Sequence, residues 1–196
     1  MVVYNSFMEM PMEFKDQKSE YMCNNLGIVR NLISALPDSI NRIDMLAQNV
    51  EGGDMPKRCR ALLFSNDGKN IAIIGRERDG CSYAVLPGGG VEGADFNAID
   101  TVNRELYEEL SIKADQFTVY EEEAIEMEPD VWVFLAVVND KNIELSLGDD
   151  SPEAFRNGNS ERGFYYPMWL PVENLASLNL RPYHFRDAIA EAISKQ

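Results

Sequence analysis

Residues 85–112, VLPGGGVEGADFNAIDTVNRELYEELSI, decide the fold of this chain. The stretch opens on an apolar strand end, passes through a glycine turn and continues as an amphipathic helix. Gly88, Gly89 and Gly90 allow backbone conformations and close approaches that other residues resist, and Pro87 stiffens the entry. Asp95 is placed to cap the helix that follows. Ile99, Val102, Leu106 and Leu110 recur at three- and four-residue spacing and predict one buried stripe. Glu105, Glu108 and Glu109 fall at i, i+3 and i+4, so three carboxylates are expected to share one patch on the opposite surface.

Like charges at these spacings repel by a few tenths of a kcal/mol per pair, about 0.2–0.5 on a bare helix. A hard divalent cation removes that repulsion, and Mg²⁺ takes carboxylates, water and phosphate oxygens together. Arg104, four residues before Glu108, is placed to orient one of the carboxylates. By itself E-x-x-E-E is an ordinary solvated helix face. The glycine turn at a set distance in front of it is what points to metal and phosphate.

With these residues in view, the stretch resembles the signature box of the Nudix hydrolases. The family pattern runs Gly, five residues, Glu, seven residues, Arg-Glu-aliphatic, one residue, Glu-Glu, one residue, Gly-aliphatic. Here Gly89 is followed by five residues and Asp95, then eight residues, Arg104-Glu105-Leu106, one residue, Glu108-Glu109, one residue and Ser111-Ile112. The preceding L-P-G-G-G is also intact. There are three departures: Asp95 for Glu, one extra residue before Arg104, and Ser111 for Gly. The other register keeps the seven-residue spacing and puts Phe96 at the Glu position. The departures touch the loop and the end of the helix, not Glu105, Glu108 or Glu109.

The resemblance implies an α/β fold, the family's α/β/α sandwich with a mixed sheet. It implies hydrolysis of a pyrophosphate bond in a nucleoside diphosphate linked to another moiety, such as a nucleoside triphosphate or ADP-ribose. Mg²⁺ or Mn²⁺ would be the cofactor, held by Glu105, Glu108, Glu109 and the backbone carbonyl of Gly88, with Arg104 holding the carboxylates in place. Similar proteins often carry a further acid before the last strand as base or ligand, and Glu153 and Glu161 are the candidates. The competing class is a catalytically weak Nudix-fold module that binds a nucleotide for regulation. A third class, a structural domain with an acidic helix, would show neither metal dependence nor a phosphate ligand.

The chain has 196 residues, 45% of them apolar, which suits one sizeable core with an extension. Its 33 acids against 18 Lys and Arg give a formal charge of −15, so no broad grip on a nucleic acid polymer or an anionic membrane is expected. A small phosphorylated substrate stays compatible, since bound metal inverts the local charge. Cys23, Cys59 and Cys81 form no C-x-x-C pair and read as buried free thiols. No apolar run reaches the length of a membrane span. The opening MVVYNSFMEMPMEF lacks the basic start and long apolar core of a signal peptide, so a cytoplasmic location is expected.

Residues 1–55 read as an N-terminal helical extension and 56–196 as the catalytic domain. Met22, Leu26, Val29, Leu32, Ile33 and Leu36 suit a first helix, and Ile40, Ile43, Leu46 and Val50 a second beyond Pro37. Packing or formation of a homodimer is the expected role of this hairpin. Beyond Gly52-Gly53, strands are expected at 58–64 and 70–75 around the turn Asn66-Asp67-Gly68, and at 83–86. Arg76 and Arg78, read as loop residues, are candidates to meet phosphates. After the helix, strands are expected at 117–126, 131–138 and 164–170, with a short one at 143–147. Pro182 is placed at the first position of a final helix running to about Ser194. The aromatic candidates for holding a base are Tyr83, Phe155, Tyr165 and Tyr166.

Overall fold

Strict alternation along the strands builds a sheet with two apolar faces. The computed structural model describes residues 31–32, 34–36, 41–44, 55–149, 151–157 and 163–195. Its strands are β1 (Asn41–Asp44), β2 (Arg58–Phe64), β3 (Asn70–Arg78), β4 (Cys81–Val85), β5 (Gly88–Gly90), β6 (Phe117–Glu128), β7 (Val131–Val138) and β8 (Phe164–Pro171). Its helices are α1 (Ala98–Leu110), α2 (Pro152–Arg156) and α3 (Tyr183–Ser194). On β2, Leu62 and Phe64 point to one side, where α3 packs through Phe185, Ala188, Ile189 and Ala192. Cys59, Ala61 and Leu63 point to the other, where α1 packs through Ala98, Val102, Leu106 and Leu110. The expected α/β/α sandwich follows from this period-two division between the two cores.

The sheet order is β1-β6-β7-β2-β3-β4, with β5 also pairing β2 and β8 also pairing β3. The β2–β7 pair is parallel and the remaining pairs are antiparallel, so the sheet is mixed. β7, VWVFLAVV, is buried along its whole length between β2 and β6, as a continuous apolar run predicts. β2 and β3 pair only at Phe64↔Ile71. Beyond that point they splay. β5 takes the edge of β2 and β4 takes the edge of β3, and the gap between them opens a cleft.

In the N-terminal extension, residues 31–32 and 34–35 are helical, and Leu32 and Leu36 join the α3-side core. The second helix expected there is corrected at Asn41–Asp44, which is strand β1 along the edge of β6. The long edge of β6 offers unpaired backbone groups that four extended residues can satisfy, and that pairing outweighs a weak helical period. The remainder of residues 1–54, including Cys23, lies outside the described residues.

Local expectations are adjusted in other places. The helix cap is Asn97, whose side chain accepts from Asp100 N, not Asp95. Arg76 and Arg78 lie within β3, not in a loop. Residues 143–147 form no strand, although Ile143 and Leu145 still pack on the α1-side core. Pro182 is the N-cap of α3. Cys59 is buried as expected, but Cys81 is exposed.

Ser111 ends α1 in the left-handed conformation (φ 56°, ψ 29°), with its N–H donating to Leu106 and Tyr107 carbonyls. The family pattern has Gly here, and a side chain in this region costs about 1 kcal/mol, partly offset by the greater freedom of Gly in the unfolded chain. Ser111→Gly is therefore expected to stabilise the protein by about 0.5–1 kcal/mol in urea unfolding. A loss of stability would show that the serine hydroxyl contributes more than the backbone conformation costs.

Candidate active site

The splayed strands, β5 and the C-terminal half of α1 enclose a cleft of about 320 Å³. Its acidic wall carries Glu105, Glu108 and Glu109, with Glu92 from the loop and Glu153 from α2. The facing wall carries Arg58 and Arg60 from β2 and Arg76 from β3. Glu105 and Glu109 are not on the solvent side of α1, as the helical period suggests, but are buried against the sheet beside Thr101. Only Glu108 is partly open. The helix packs obliquely enough over β5 that acids one position off the apolar stripe are covered by the glycine strand.

Gly88 and Gly89 make that close approach work. Gly88 has φ +132°, and a Cβ there would run into the backbone of Cys59 and Arg60. Its N–H donates to Glu109 Oε2 at 2.7 Å and its carbonyl accepts from Arg60 Nη1 at 2.5 Å. A Cβ on Gly89 would overlap the Glu105 carboxylate. That carboxylate is the end of a flexible side chain and can move, so Gly89→Ala is expected to fold but to displace Glu105. The variant should lose turnover at least tenfold with little change in unfolding temperature. Unimpaired turnover would remove Glu105 from the reaction.

Arg104 organises the acidic wall. Its Nε and Nη2 donate to the two oxygens of Asp95 at 3.2 and 3.0 Å, a two-point contact of the strong kind. Nη2 also donates to the Gly90 carbonyl at 2.8 Å, and Nη1 reaches Glu105 Oε1 at 2.8 Å and Glu108 Oε2 at 3.5 Å. Asp95 accepts further from Thr101 Oγ1 and Glu92 N. The Arg104 bonds therefore hold the Asp95 carboxyl down at about 2 despite burial. The departures at the first acid thus end in a closed contact: a shorter side chain, on a loop one residue longer, still meets the arginine.

The acids facing the cleft respond in the opposite sense. Burial raises the Glu105, Glu108 and Glu109 carboxyls above the usual range, and Glu109 is pushed up to about 8. Arg104 opposes the shift at Glu105 and Glu108, and the Gly88 N–H opposes it at Glu109, but burial outweighs both. On the other wall, burial lowers the Arg60 guanidinium below its ordinary value. Cys59 lies beneath, its thiol pushed up to about 12 by burial, and is a packing residue.

These residues suit a divalent cation by their donor chemistry. One oxygen of each acid is engaged: Glu105 Oε1 and Glu108 Oε2 by Arg104, Glu109 Oε2 by Gly88. The second oxygen of each, buried in the cases of Glu105 and Glu109, makes no hydrogen bond among the described residues. Three hard oxygens of raised energy then face one cleft, the donor set that Mg²⁺ or Mn²⁺ takes. Among the described residues no three acid side chains already converge as a ready-made metal site. The Gly88 carbonyl, a ligand by resemblance, is already shared with Arg60.

The other candidates separate. Arg76 lines the cleft, with its guanidinium 4.3 Å from the Tyr165 ring centre and Nη2 donating to Tyr165 Oη. Arg78 is exposed beside Asp79 and lies outside the cleft lining. Tyr83 is also outside it, between Arg76 and Arg181 at 5.6 and 4.4 Å. Of the aromatic candidates only Tyr165 lines the cleft. Glu153 does line it, and Glu161 lies outside the described residues. Arg58 and Arg60 are additional to the residues singled out from sequence. The signal was present in RCRALLF, where the arginines continue the period-two face of Leu62 and Phe64.

A family model described as the NUDIX domain matches residues 55–189. A search of curated proteins found no match. Among solved structures, the chain is similar to MutT from Aliivibrio salmonicida or Vibrio cholerae at 16% identity, covering 72% of this chain and 98% of that one, with a TM-score of 0.48. It is similar to the C. elegans Ap4A hydrolase at 16% identity, covering 71% and 97%, with a TM-score of 0.48. For the NUDIX domain of Shewanella oneidensis NrtR, solved with ADP ribose, the values are 14% identity, 76% and 95% coverage and a TM-score of 0.46.

Proposed function

Because the chain belongs to the Nudix hydrolase family, we propose that it hydrolyses a pyrophosphate bond in a nucleoside diphosphate linked to another moiety, with Mg²⁺ or Mn²⁺. The observation that carries this reading is the two-sided cleft, with the buried Glu105 and Glu109 and the partly open Glu108 on one wall and three arginines on the other. A pyrophosphate presents negative oxygens in two directions. The arginine wall supplies donors for one set, and the acids, once neutralised by a cation, face the other. Glu105, Glu108 and Glu109 are the residues that would hold the cation. When bound, it supplies Lewis acidity toward phosphate oxygens and water.

The chain's own groups do the rest. Arg76, which lines the cleft, is held by the Tyr165 ring and hydroxyl, so a phosphate there meets a donor already fixed in place. Arg104 keeps Glu105 and Glu108 on their side of the cleft. Glu153, on α2 at the opening, is the acid positioned to take a proton from the attacking water, and Ser151 caps its helix. Tyr165 offers the one aromatic side chain on the cleft lining among the described residues. A small nucleotide-type molecule is the partner in this reading. A cytoplasmic location and a homodimer belong to the same reading, and the mass in solution checks the dimer. Among the described residues no helix is long and apolar enough to cross a membrane.

The test is release of phosphate or nucleotide from nucleoside triphosphates, ADP-ribose, nucleotide sugars and dinucleoside polyphosphates, with Mg²⁺, Mn²⁺ or EDTA. Turnover of one class that stops in EDTA is expected. Nucleotide binding without turnover of any compound would replace this reading with that of a binding module.

A further inference from the structure

A second cavity, of about 510 Å³, lies next to the cleft and shares Arg60 and Val85 with it. It sits on the α3 side, between β4, the β6–β7 turn and the first turn of α3. Building on the hydrolase reading above, we propose that this cavity binds a phosphate group that the substrate carries beyond the bond that is cut.

The charge distribution supports this. In a chain of formal charge −15 most cations find a carboxylate, although the exposed Lys69 and Lys113 have none within 4 Å among the described residues. Lys57, Arg78, Arg104, Arg186 and Lys195 each have a carboxylate within 4 Å. Arg58, Arg60, Arg76 and Arg181 have none among the described residues, and all four line the two cavities. Arg60 stands between them. Its Nη1 donates to the Leu86 and Gly88 carbonyls, while Nε and Nη2 make no hydrogen bond among the described residues. Glu109 and Glu105 act on it only at a distance, and a largely buried guanidinium with unused donors and no carboxylate in contact is costly unless an anion completes it.

Arg181 is fixed on the far side. Its backbone N–H donates to the Ala84 carbonyl at 2.9 Å, which pins it to the edge of β4. Its guanidinium lies 4.4 Å from the Tyr83 ring centre, and its N–H groups make no hydrogen bond among the described residues. Beside it α3 begins with no side-chain cap and no acid in its first turn, so its first N–H groups lack partners among the described residues. His184 Nε2 donates to the Met127 carbonyl at 2.9 Å, and Nδ1 has no partner among the described residues. Glu128 is the one carboxylate on the lining, and it is exposed. Leu86 and Met127 supply an apolar floor. The volume is within the range of small-molecule sites, ~300–1,000 Å³, and holds a sugar phosphate.

The experiment is calorimetry in EDTA, which removes turnover from the reading. The probes are matched pairs that differ by one phosphomonoester, ADP-ribose with 2′-phospho-ADP-ribose and dephospho-coenzyme A with coenzyme A, together with inorganic phosphate. In one pair the phosphorylated member should bind about tenfold more tightly or better, the strength of a charge-assisted contact. Arg181→Gln should collapse that ratio toward one, and Arg181→Lys should keep part of it. Equal affinities within every pair, no binding by any probe, or an unchanged ratio in Arg181→Gln would overturn the proposal. Inorganic phosphate binding that Arg181→Gln abolishes, with equal affinities within the pairs, would assign the cavity to free phosphate and also overturn it. A ratio that Arg181→Gln collapses, in a protein that turns nothing over in the EDTA-controlled panel, keeps the phosphate site and discards the hydrolase reading.

Discussion

Glu109→Gln is expected to lower kcat by about three orders of magnitude while the protein stays folded. Glu109 is 7% exposed, and one of its oxygens accepts the Gly88 N–H. The amide oxygen of Gln keeps that bond and the shape, so what is lost is the negative charge facing the cleft. Glu109 has the highest carboxyl pKa of the three cleft acids, and the substitution removes a buried acid that the free protein holds at a cost. Burial sets its folded value at about 8 against an ordinary 4.5, so between those values the native protein keeps a proton that the unfolded chain gives up. Its contribution to stability is complete below about pH 4.5 and is lost as pH rises through 8. Urea unfolding in EDTA at pH 5 and pH 8.5 should show the wild type weakening across that window, and Glu109→Gln weakening less. Mg²⁺ should restore stability at the higher pH only in the wild type. Turnover near the wild-type rate would dismiss the metal-site assignment, and an identical pH dependence would dismiss the buried acid as its source.

Arg104→Ala carries the second large effect, a loss of about 3 kcal/mol in stability. Every donor group of this guanidinium is in use, and the Asp95 side chain is only 5% exposed. Removing the arginine leaves a buried carboxylate without its counter-ion and frees Glu105 to swing. The Asp95 carboxyl, held at about 2 by Arg104 against an ordinary 3.8, contributes stability above about pH 4 that is lost as pH falls through 2. That acid-side contribution should vanish in Arg104→Ala. Arg104→Lys keeps the charge but cannot span both oxygens of Asp95 and the Gly90 carbonyl, so it should fall between the two. Chemical unfolding at pH 7 and pH 3 measures both. A change below about 0.5 kcal/mol would mean that the hub contributes no more than a surface ion pair.

How much of this was legible beforehand depends on whether the deciding contact is local. Val102, Leu106 and Leu110 mark the buried face of α1 by their spacing alone, and VWVFLAVV marks a strand covered on both sides. The Asn-Asp-Gly turn between β2 and β3 is equally local chemistry. The same spacing rule misplaced Glu105 and Glu109, because a helix wheel cannot say that a side-chain-free strand, β5, will lie over the acids and bury them. Asp95 has the position of a cap because it precedes the helix, yet it answers Arg104, nine residues away. Asn41–Asp44 reads as helix on its own pattern and becomes strand only because β6 offers it an edge.

The sequence by itself determined the sandwich, the order of its main strands, the glycine turn and the identity of the three acids facing the cleft. Each of these rests on periodicity or on a short motif, which act over a few residues. Only the tertiary structure decided which cations oppose those acids. Arg60 and Arg76 reach the cleft because β2 and β3 part company after a single pair, Phe64↔Ile71. Arg181, some 120 residues beyond Arg60, borders the adjoining cavity because its backbone hydrogen-bonds the edge of β4. Charge placement of that kind depends on chain segments far apart in sequence, and no local pattern encodes it.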